Sequence, residues 1–425
     1  MDRSSAAPTT PTASTSRRKR SRPACSVRNA PRASSYAAAV EAGSSSTAAA
    51  GIRSATTPPG LVPQGPSRRP KPAIARPCPR GPKPTNLAIV NLRARAATPD
   101  EDARWDELIE ATGRPHVLQS RAWADVKRPG GWQSRRIVVE RKGDVLGVAQ
   151  VLLKDIALGQ RYAYAPRGPL VREPAQIGDV SLAIARSLAS DHAAALLFDP
   201  ELPEDHRVTD SLRRAGCLPG RFPVQPRRTL VLDISRDPDA LLGEMRKKTR
   251  QYIRKAERDG VDTEESDDIG AFYDVQRTVA ARVGFGIHDR DYFDTLWRTL
   301  APMGRAHLFF ARFGGRRVAA LLALRWGPQA WEMFGGPTGE HAETRPFYLL
   351  KWRAILRLRQ LGVRSYDMWG LAESGKDDDP LSGVENFKLG FGGEPRAYVG
   401  AWEAPVREAL FFLWRFASRV LPTAS

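Results

Sequence analysis

The sequence predicts two consecutive mixed α/β domains built on one plan, preceded by a basic segment too poor in apolar residues to fold. Three observations carry this reading. The composition changes abruptly near residue 85, one block of strand and helix signals occurs twice after it, and helical sequence stands ahead of each block. Residues 1–85 hold 15 lysines and arginines against only Asp2 and Glu41, among runs of Ser, Ala, Thr and Pro, so no buried core offsets the entropy of ordering them. Of a net charge of +19 over 425 residues, the remainder keeps 51 basic and 45 acidic side chains and is only about +6.

In the first block, "RRIVVER" (135–141), a turn at "KGD", "VLGVAQVLLKDI" (145–156) and "RYAYAPRGP" (161–169) read as three strands. A helical stretch "VSLAIARSLASDH" (180–192) and an apolar strand "AALLFDP" (194–200) follow. The second block repeats the order with "AHLFFARF" (306–313), a turn at "GG", "RRVAALLALRW" (316–326) and "AWEMFGGP" (330–337). The helix "RPFYLLKWRAILRLRQLG" (345–362) and the strand "VRSYDMWG" (363–370) complete it. That helix places Phe347, Leu350, Ala354, Leu358 and Leu361 at spacings of three and four, with Gly362 at its C-terminal cap. Asp199 and Asp367 fall at corresponding places of the two blocks. Helical sequence at 99–112 precedes the first block, and stretches at 237–260 and 269–283 precede the second. The predicted organisation is therefore a disordered tail (1–85), a first domain (86–230) completed by a C-terminal segment (396–425), and a second domain (231–395).

Several function classes are disfavoured. Cys25, Cys78 and Cys217 supply neither a disulfide framework nor a metal-ligand spacing, which points to a reducing, cytoplasmic setting without a metal. No apolar run approaches the roughly 20 residues needed to span a bilayer. The cluster "SRRKRSR" (16–22) is either a contact for RNA or an anionic membrane, or a solvated tail behind a misplaced start codon; no apolar stretch follows it to make an export signal. The C-terminal "ALFFLWRFASRVL" (409–421) either packs on the core or lies on a membrane surface. Six scattered histidines and no nucleophile–base signature argue against a covalent acyl-enzyme.

Helices, a three-stranded meander, a helix and a strand, occurring twice, resemble the acyltransferase fold called GNAT. The Arg/Gln-x-x-Gly-x-Gly/Ala loop that holds coenzyme A pyrophosphate in that fold is missing, since "ARFGGRR" fails at Arg317 and "ARVGFGI" has Ala281 in place of Arg or Gln. Six stretches in order, "VLQSRAWADVKRPGGW" (117–132), "YAYAPRGPL" (162–170), "KKTRQYIRKAERDGV" (247–261), "MFGGPTGEHAETRPFYLLKWRAI" (333–355), "YDMWGL" (366–371) and "VENFKLGFGGEPRAYVGAWEAPV" (384–406), resemble the Fem family of aminoacyltransferases. The resemblance implies two tandem GNAT-like domains and a transferase that needs no coenzyme A. It implies a donor, aminoacyl-tRNA, and an acceptor amine on the stem peptide of a lipid-linked or UDP-linked peptidoglycan precursor. The implied setting is cell wall biogenesis at or near the inner membrane face.

The same resemblance assigns residues. Phe387 and Lys388 match a Phe-Lys pair at the domain junction, where a positive charge beside Gly390, Gly392 and Gly393 serves either an acceptor diphosphate or the oxyanion of ester aminolysis; without the resemblance the lysine reads as exposed on a loop. Lys127, on one helix face with Trp123, matches a residue that binds acceptor phosphates. Asp199 matches an aspartate near the acceptor, or else forms an Asp-Pro turn. Arg290 matches a phosphate-binding arginine, with Arg282 and Arg298 as alternatives, and Tyr292 and Trp331 are assigned to the peptide groove or to core packing. By helical spacing alone, Lys247, Arg250, Arg254 and Arg258 form a basic stripe that either tracks tRNA phosphates or is a solvated face. A helical hairpin arm found in some Fem members has no counterpart between Arg258 and Ile269. The competing readings are a GNAT-fold acyltransferase with a different acceptor, such as a peptide natural product or a polysaccharide precursor, and a non-catalytic RNA-binding protein on this scaffold.

Overall fold

The computed structural model of the protein describes residues 92–156, 159–221, 224–284, 286–373, 382–408 and 411–412. The basic segment 1–85, most of the acidic loop at 372–383 and most of the stretch 409–421 lie outside them.

The first domain starts with β1 (Arg93–Ala96) and two short helices, α1 (Pro99–Ala103) and α2 (Trp105–Glu110). Thr98 and Glu101 close a capping box at α1, and the helical sequence of 99–112 is split at Arg104. Next come α3 (Arg121–Lys127), capped by the Ser120 hydroxyl, then β2 (Gln133–Arg141), β3 (Asp144–Asp155), β4 (Arg161–Ala165) and β5 (Leu170–Val171). After these follow α4 (Ile177–Ser187), β6 (Ala193–Phe198), α5 (His206–Arg214) and β7 (Leu218–Pro219). The second domain runs through β8 (Arg228–Asp233), α6 (Pro238–Glu244), α7 (Lys247–Arg258), β9 (Asp262–Ser266), α8 (Ile269–Val283), α9 (Arg290–Leu300), β10 (Ala306–Phe313), β11 (Arg316–Trp326) and β12 (Gln329–Pro337). It continues with α10 (Pro346–Gln360), β13 (Ser365–Gly370), α11 (Ser382–Leu389) and β14 (Glu394–Ala397), and β15 (Trp402–Pro405) follows. The single helix expected over 237–260 breaks between α6 and α7, where Met245 is buried in an extended conformation and the Arg246 N–H donates to the Gly390 carbonyl.

The two sheets have matching orders, β1-β2-β3-β4-β6-β15-β7, with β5 alongside β3, and β9-β10-β11-β12-β13-β8-β14. Each has one parallel pair among the described residues, β4 with β6 and β12 with β13. The strand flanking that pair has a different source in each sheet. In the second it is β8, from the start of that domain, and in the first it is β15, which returns only after the second domain is complete. Aligned by these pairs, Asp367 pairs with Trp331 inside β13 whereas Asp199 lies just beyond β6, so the two aspartates are offset rather than equivalent.

Three apolar layers result. One lies between the first sheet and α4 and α5, another between the second sheet and α7 and α10. The third is shared: Trp105, Val117, Leu118 and Trp123 of the first domain pack in one cluster with Phe272, Phe293, Trp331, Phe334 and Trp369 of the second. The domains are thus joined through a common core, and side chains at the junction are held as firmly as those within either domain.

Within the second domain an ion pair is buried: the Lys351 ammonium of α10 donates to Glu332, whose other oxygen accepts the Tyr366 hydroxyl at 2.7 Å. Removing one partner leaves an unpaired buried charge, so Lys351→Met is expected to cost about 3–5 kcal/mol in urea unfolding. Lys351→Met with Glu332→Met should regain most of that loss; a double variant as unstable as the single one would mean that packing, not charge pairing, sets the cost.

Candidate active site at the domain junction

Lys388 is neither exposed nor on a loop. It occupies the last turn of α11, is 3% exposed, and its ammonium donates to the Gly370 carbonyl at 2.6 Å. The glycines that follow act through close packing. A Cβ at Gly390 would collide with the Thr249 hydroxyl of α7, and one at Gly393 (φ +83°) would lie 2.7 Å from the Val231 carbonyl of β8. Phe387 is stacked on Phe347, with ring centroids 5.7 Å apart, and meets Tyr348 edge-on at 4.8 Å. This aromatic packing fixes the helix face that carries the neighbouring lysine.

Gly370 leads back to the first domain. Trp369 before it adopts a left-handed backbone (φ +64°), and the Arg167 guanidinium lies 5.0 Å from its indole and 5.2 Å from the Tyr398 ring. Arg167 is buried, with its Nη2 donating to the Pro226 carbonyl at 3.0 Å and its N–H to Asp199 Oδ1 at 2.7 Å. The other Asp199 oxygen accepts the Tyr164 hydroxyl at 2.8 Å. Burial raises the Asp199 carboxyl to about 6 although the Arg167 charge opposes the rise. Asp199 and Lys388, 189 positions apart in sequence, are thereby linked through Arg167, Trp369 and Gly370.

Beside this line lies a cavity of about 300 Å³, whose walls include Arg114, Arg167, Glu201, Trp331, Asp367 and Tyr398. Trp331 is buried, its ring 4.3 Å from that of His116, and borders the cavity. Burial holds the His116 imidazole well below its ordinary range, so it is neutral. Burial, with the Glu201 charge adding to it, raises Asp367 to about 7.

A separate cluster forms where α3 meets α9. The Lys127 ammonium lies 5.0 Å from the Tyr292 ring and 6.0 Å from Trp123, and the His288 ring stacks on Tyr292 at 3.8 Å. The sequence reading did not single out His288. Burial and the Lys127 charge lower it to about 4, so it is neutral there. The arginine candidates take other directions. Arg290 faces Asp294 and the backbone of Gly270, Arg282 donates to the Pro337 carbonyl at 3.1 Å, and Arg298 donates to the Asp294 carbonyl at 3.3 Å. Tyr292, two residues after Arg290, turns inward because the Asp289 carboxylate accepts its N–H at 2.8 Å and sets the start of α9.

On α7, Lys247, Arg254 and Arg258 are exposed, whereas Arg250 folds back onto carbonyls of the preceding turn, including those of Leu242 and Gly243 at 3.3 Å. Among the described residues no group of three or more His, Cys, Asp or Glu side chains is placed to hold a metal ion, and no helix is long and apolar enough to cross a membrane.

Residues 101–214 match the FemAB family, and residues 243–389 match an acetyltransferase (GNAT) domain. The chain is 25% identical over 335 residues to the UDP-N-acetylmuramoylpentapeptide-lysine N(6)-alanyltransferase of Weissella viridescens, a match covering 74% of this chain and 95% of that protein. It is 30% identical over 222 residues to a lipid II:glycine glycyltransferase of Staphylococcus aureus, covering 49% of this chain and 52% of that protein. The match therefore spans about half the length of the glycyltransferase. The crystal structure of FemX superimposes with a TM-score of 0.67 at 20% identity, covering 76% of this chain and 99% of FemX, so the two share a fold. The second domain matches a GNAT domain and the first repeats its sheet order, so the described chain has two GNAT-like domains in tandem.

Burial, with the charge of Lys154 adding to it, pulls the Lys127 ammonium down to about 8. Amine-reactive labelling of Lys127 followed by mass spectrometry is expected to show a midpoint near that pH, with an ordinary lysine titrating near 10.4. Between those values the unfolded chain binds the extra proton, so this group makes stability rise with pH there, and Lys127→Met should remove that part of the rise. A midpoint above 10 would place the ammonium in water.

Proposed function

We propose that the chain, whose residues 101–214 match the FemAB family, acts as a Fem-type aminoacyltransferase and transfers an amino acid from aminoacyl-tRNA to an amine on the stem peptide of a peptidoglycan precursor. The single observation that carries the proposal is the buried Lys388 ammonium, fixed on the Gly370 carbonyl one residue from the indole that receives Arg167 of the other domain. In ester aminolysis the amine attacks the carbonyl carbon, a C–N bond forms, and the C–O bond to the ribose breaks. The electron pair leaves on the ribose oxygen, and the proton lost by nitrogen ends there through substrate or water. Negative charge builds on the carbonyl oxygen between these events. A pre-positioned ammonium in a water-poor site stabilises that charge without reorganisation.

On this reading Lys127, with Tyr292 beside it, binds the phosphates of a lipid-linked or a UDP-linked precursor. Asp199 holds the Arg167 loop and the Tyr164 hydroxyl at the acceptor side. The exposed Lys247, Arg254 and Arg258 offer a surface for RNA phosphates. Coenzyme A has no part in the reaction. The parallels are the named activities of the relatives, alanyl transfer to a muramoylpentapeptide lysine and glycyl transfer to lipid II.

The test incubates the protein with mixed charged tRNAs and either precursor, and reads the precursor by mass spectrometry. One aminoacyl mass should be gained, and ribonuclease should abolish the gain. Lys388→Ala should lower kcat by about 10²–10³-fold, the usual cost of an oxyanion donor, with the fold intact by circular dichroism. No mass gain on either precursor would exclude the cell-wall acceptor.

A further inference from the structure

On the surface where α7 meets the start of α10, unpaired cations surround an aromatic ring. Tyr252 of α7 is partly exposed, with the Arg345 guanidinium 4.7 Å and the Lys248 ammonium 5.6 Å from its ring centroid. Arg345 is placed there by a left-handed backbone (φ +58°) directly before Pro346, a conformation that sterics disfavour for a residue with a Cβ. Lys247, Arg254 and Arg258 of α7 are exposed nearby. Among the described residues none of these five cations forms an ion pair, whereas Lys255 and Arg353 beside them pair with Asp259 and Glu257. The ring also leads inward. Tyr252 meets Tyr348 edge-on at 4.9 Å, and Tyr348 meets Phe387, the residue before Lys388, at 4.8 Å. Cations interleaved with a partly exposed ring suit a polyanion whose units have flat faces. Unpaired nucleotides supply both, phosphates for the charges and bases that stack on a ring or a guanidinium plane. A duplex keeps its bases stacked on one another, and an acidic peptide supplies the charge without the flat face.

We propose that the Tyr252–Arg345 pair stacks a base of the unpaired 3′ end of the donor RNA, with Lys248 and Lys247 on the flanking phosphates. The assignment rests on the aminoacyl-tRNA reading above and adds to it where the strand approaches Lys388. Position supports the donor over the acceptor. Helices α7 and α10 share one apolar layer with Phe387, whereas Tyr292, beside Lys127, packs in the layer between the domains. Phe309 and Ala311 of β10 belong to the first layer, Leu308 and Phe310 to the second, so the layers lie on opposite faces of the second sheet. Donor and acceptor then reach that sheet from opposite sides.

The probe is a short fluorescein-labelled single-stranded RNA ending in CCA, compared with the same RNA in a duplex. Its binding to the full chain is read by anisotropy, alongside KM for aminoacyl-tRNA in the transfer assay. The single strand should bind more tightly than the duplex. Tyr252→Leu and Arg345→Gln should each raise Kd and that KM by about tenfold, the scale of one lost base stack, with KM for the precursor unmoved. Tyr252→Phe keeps the ring and should bind as the wild type does, which separates stacking from disturbed packing of α7 on α10. Lys248→Gln, at an exposed position, should lower the slope of log affinity against log salt by about 0.7, the value of one single-strand phosphate. Kd and KM that are both unchanged in Tyr252→Leu overturn the surface and leave the aminoacyltransferase reading standing. A duplex bound as tightly as the single strand, or a loss in Tyr252→Phe equal to that in Tyr252→Leu, overturns the stacking role. Binding that depends on Tyr252 in a protein that transfers nothing to either precursor supports the surface and removes the acceptor assignment. Absence of RNA binding and of transfer overturns the two together.

Discussion

The structure depends on one buried arginine. Arg167 belongs to the first domain, yet its guanidinium is placed between Trp369 and Tyr398, which follow strands of the second sheet or lie within it. The cost of a charge this far from water is offset in part by the two aromatic faces, the Pro226 carbonyl and the nearby charge of Asp199, while its Nε is buried without a hydrogen bond. The Asp199 carboxylate fixes the loop that carries it. Each of these partners comes from a different part of the chain, so Arg167 reaches its place only when the two domains have met in one register.

The shared core makes that register durable. A junction resting on polar contacts alone would leave domain motion as the default. Here Trp105, Trp123, Phe293, Phe334 and Trp369 form one cluster, and β15 returns to the first sheet after the second is built. Two sites 189 positions apart, Asp199 and Lys388, are consequently held in one frame. A bimolecular substrate pair needs this of an enzyme whose chemistry consists largely of placement and a fixed charge.

Much of the fold was legible in the sequence because the meander-helix-strand blocks are strongly patterned. The strands β10 to β12 and helix α10 fall where periodicity puts them, and so does α8 at 269–283. Short or charged elements were not legible. "DTEES" has no apolar alternation because β9 is a sheet edge, and β8, α5 and α9 lay between the recognised blocks. Glycines after Lys388 suggested a loop, since sequence cannot distinguish a glycine required for φ from one required by a neighbouring helix. At the site, Lys127, Tyr292 and Lys388 were readable as residue types in known surroundings. Arg167 and His288 were not, because their importance arises from burial and partners that only the tertiary arrangement supplies.

The most direct measurement is single-turnover aminoacyl transfer by Arg167→Met, with hydrogen exchange monitored in both domains. Methionine fills much of the space between the rings and removes the charge and its hydrogen bonds. If Arg167 aligns the two halves of the site, each domain keeps its exchange protection while the transfer rate falls by about a hundredfold, the scale of a misplacement near 1 Å. A variant that transfers at the wild-type rate would show that the shared core alone sets the geometry and that the arginine is a passenger.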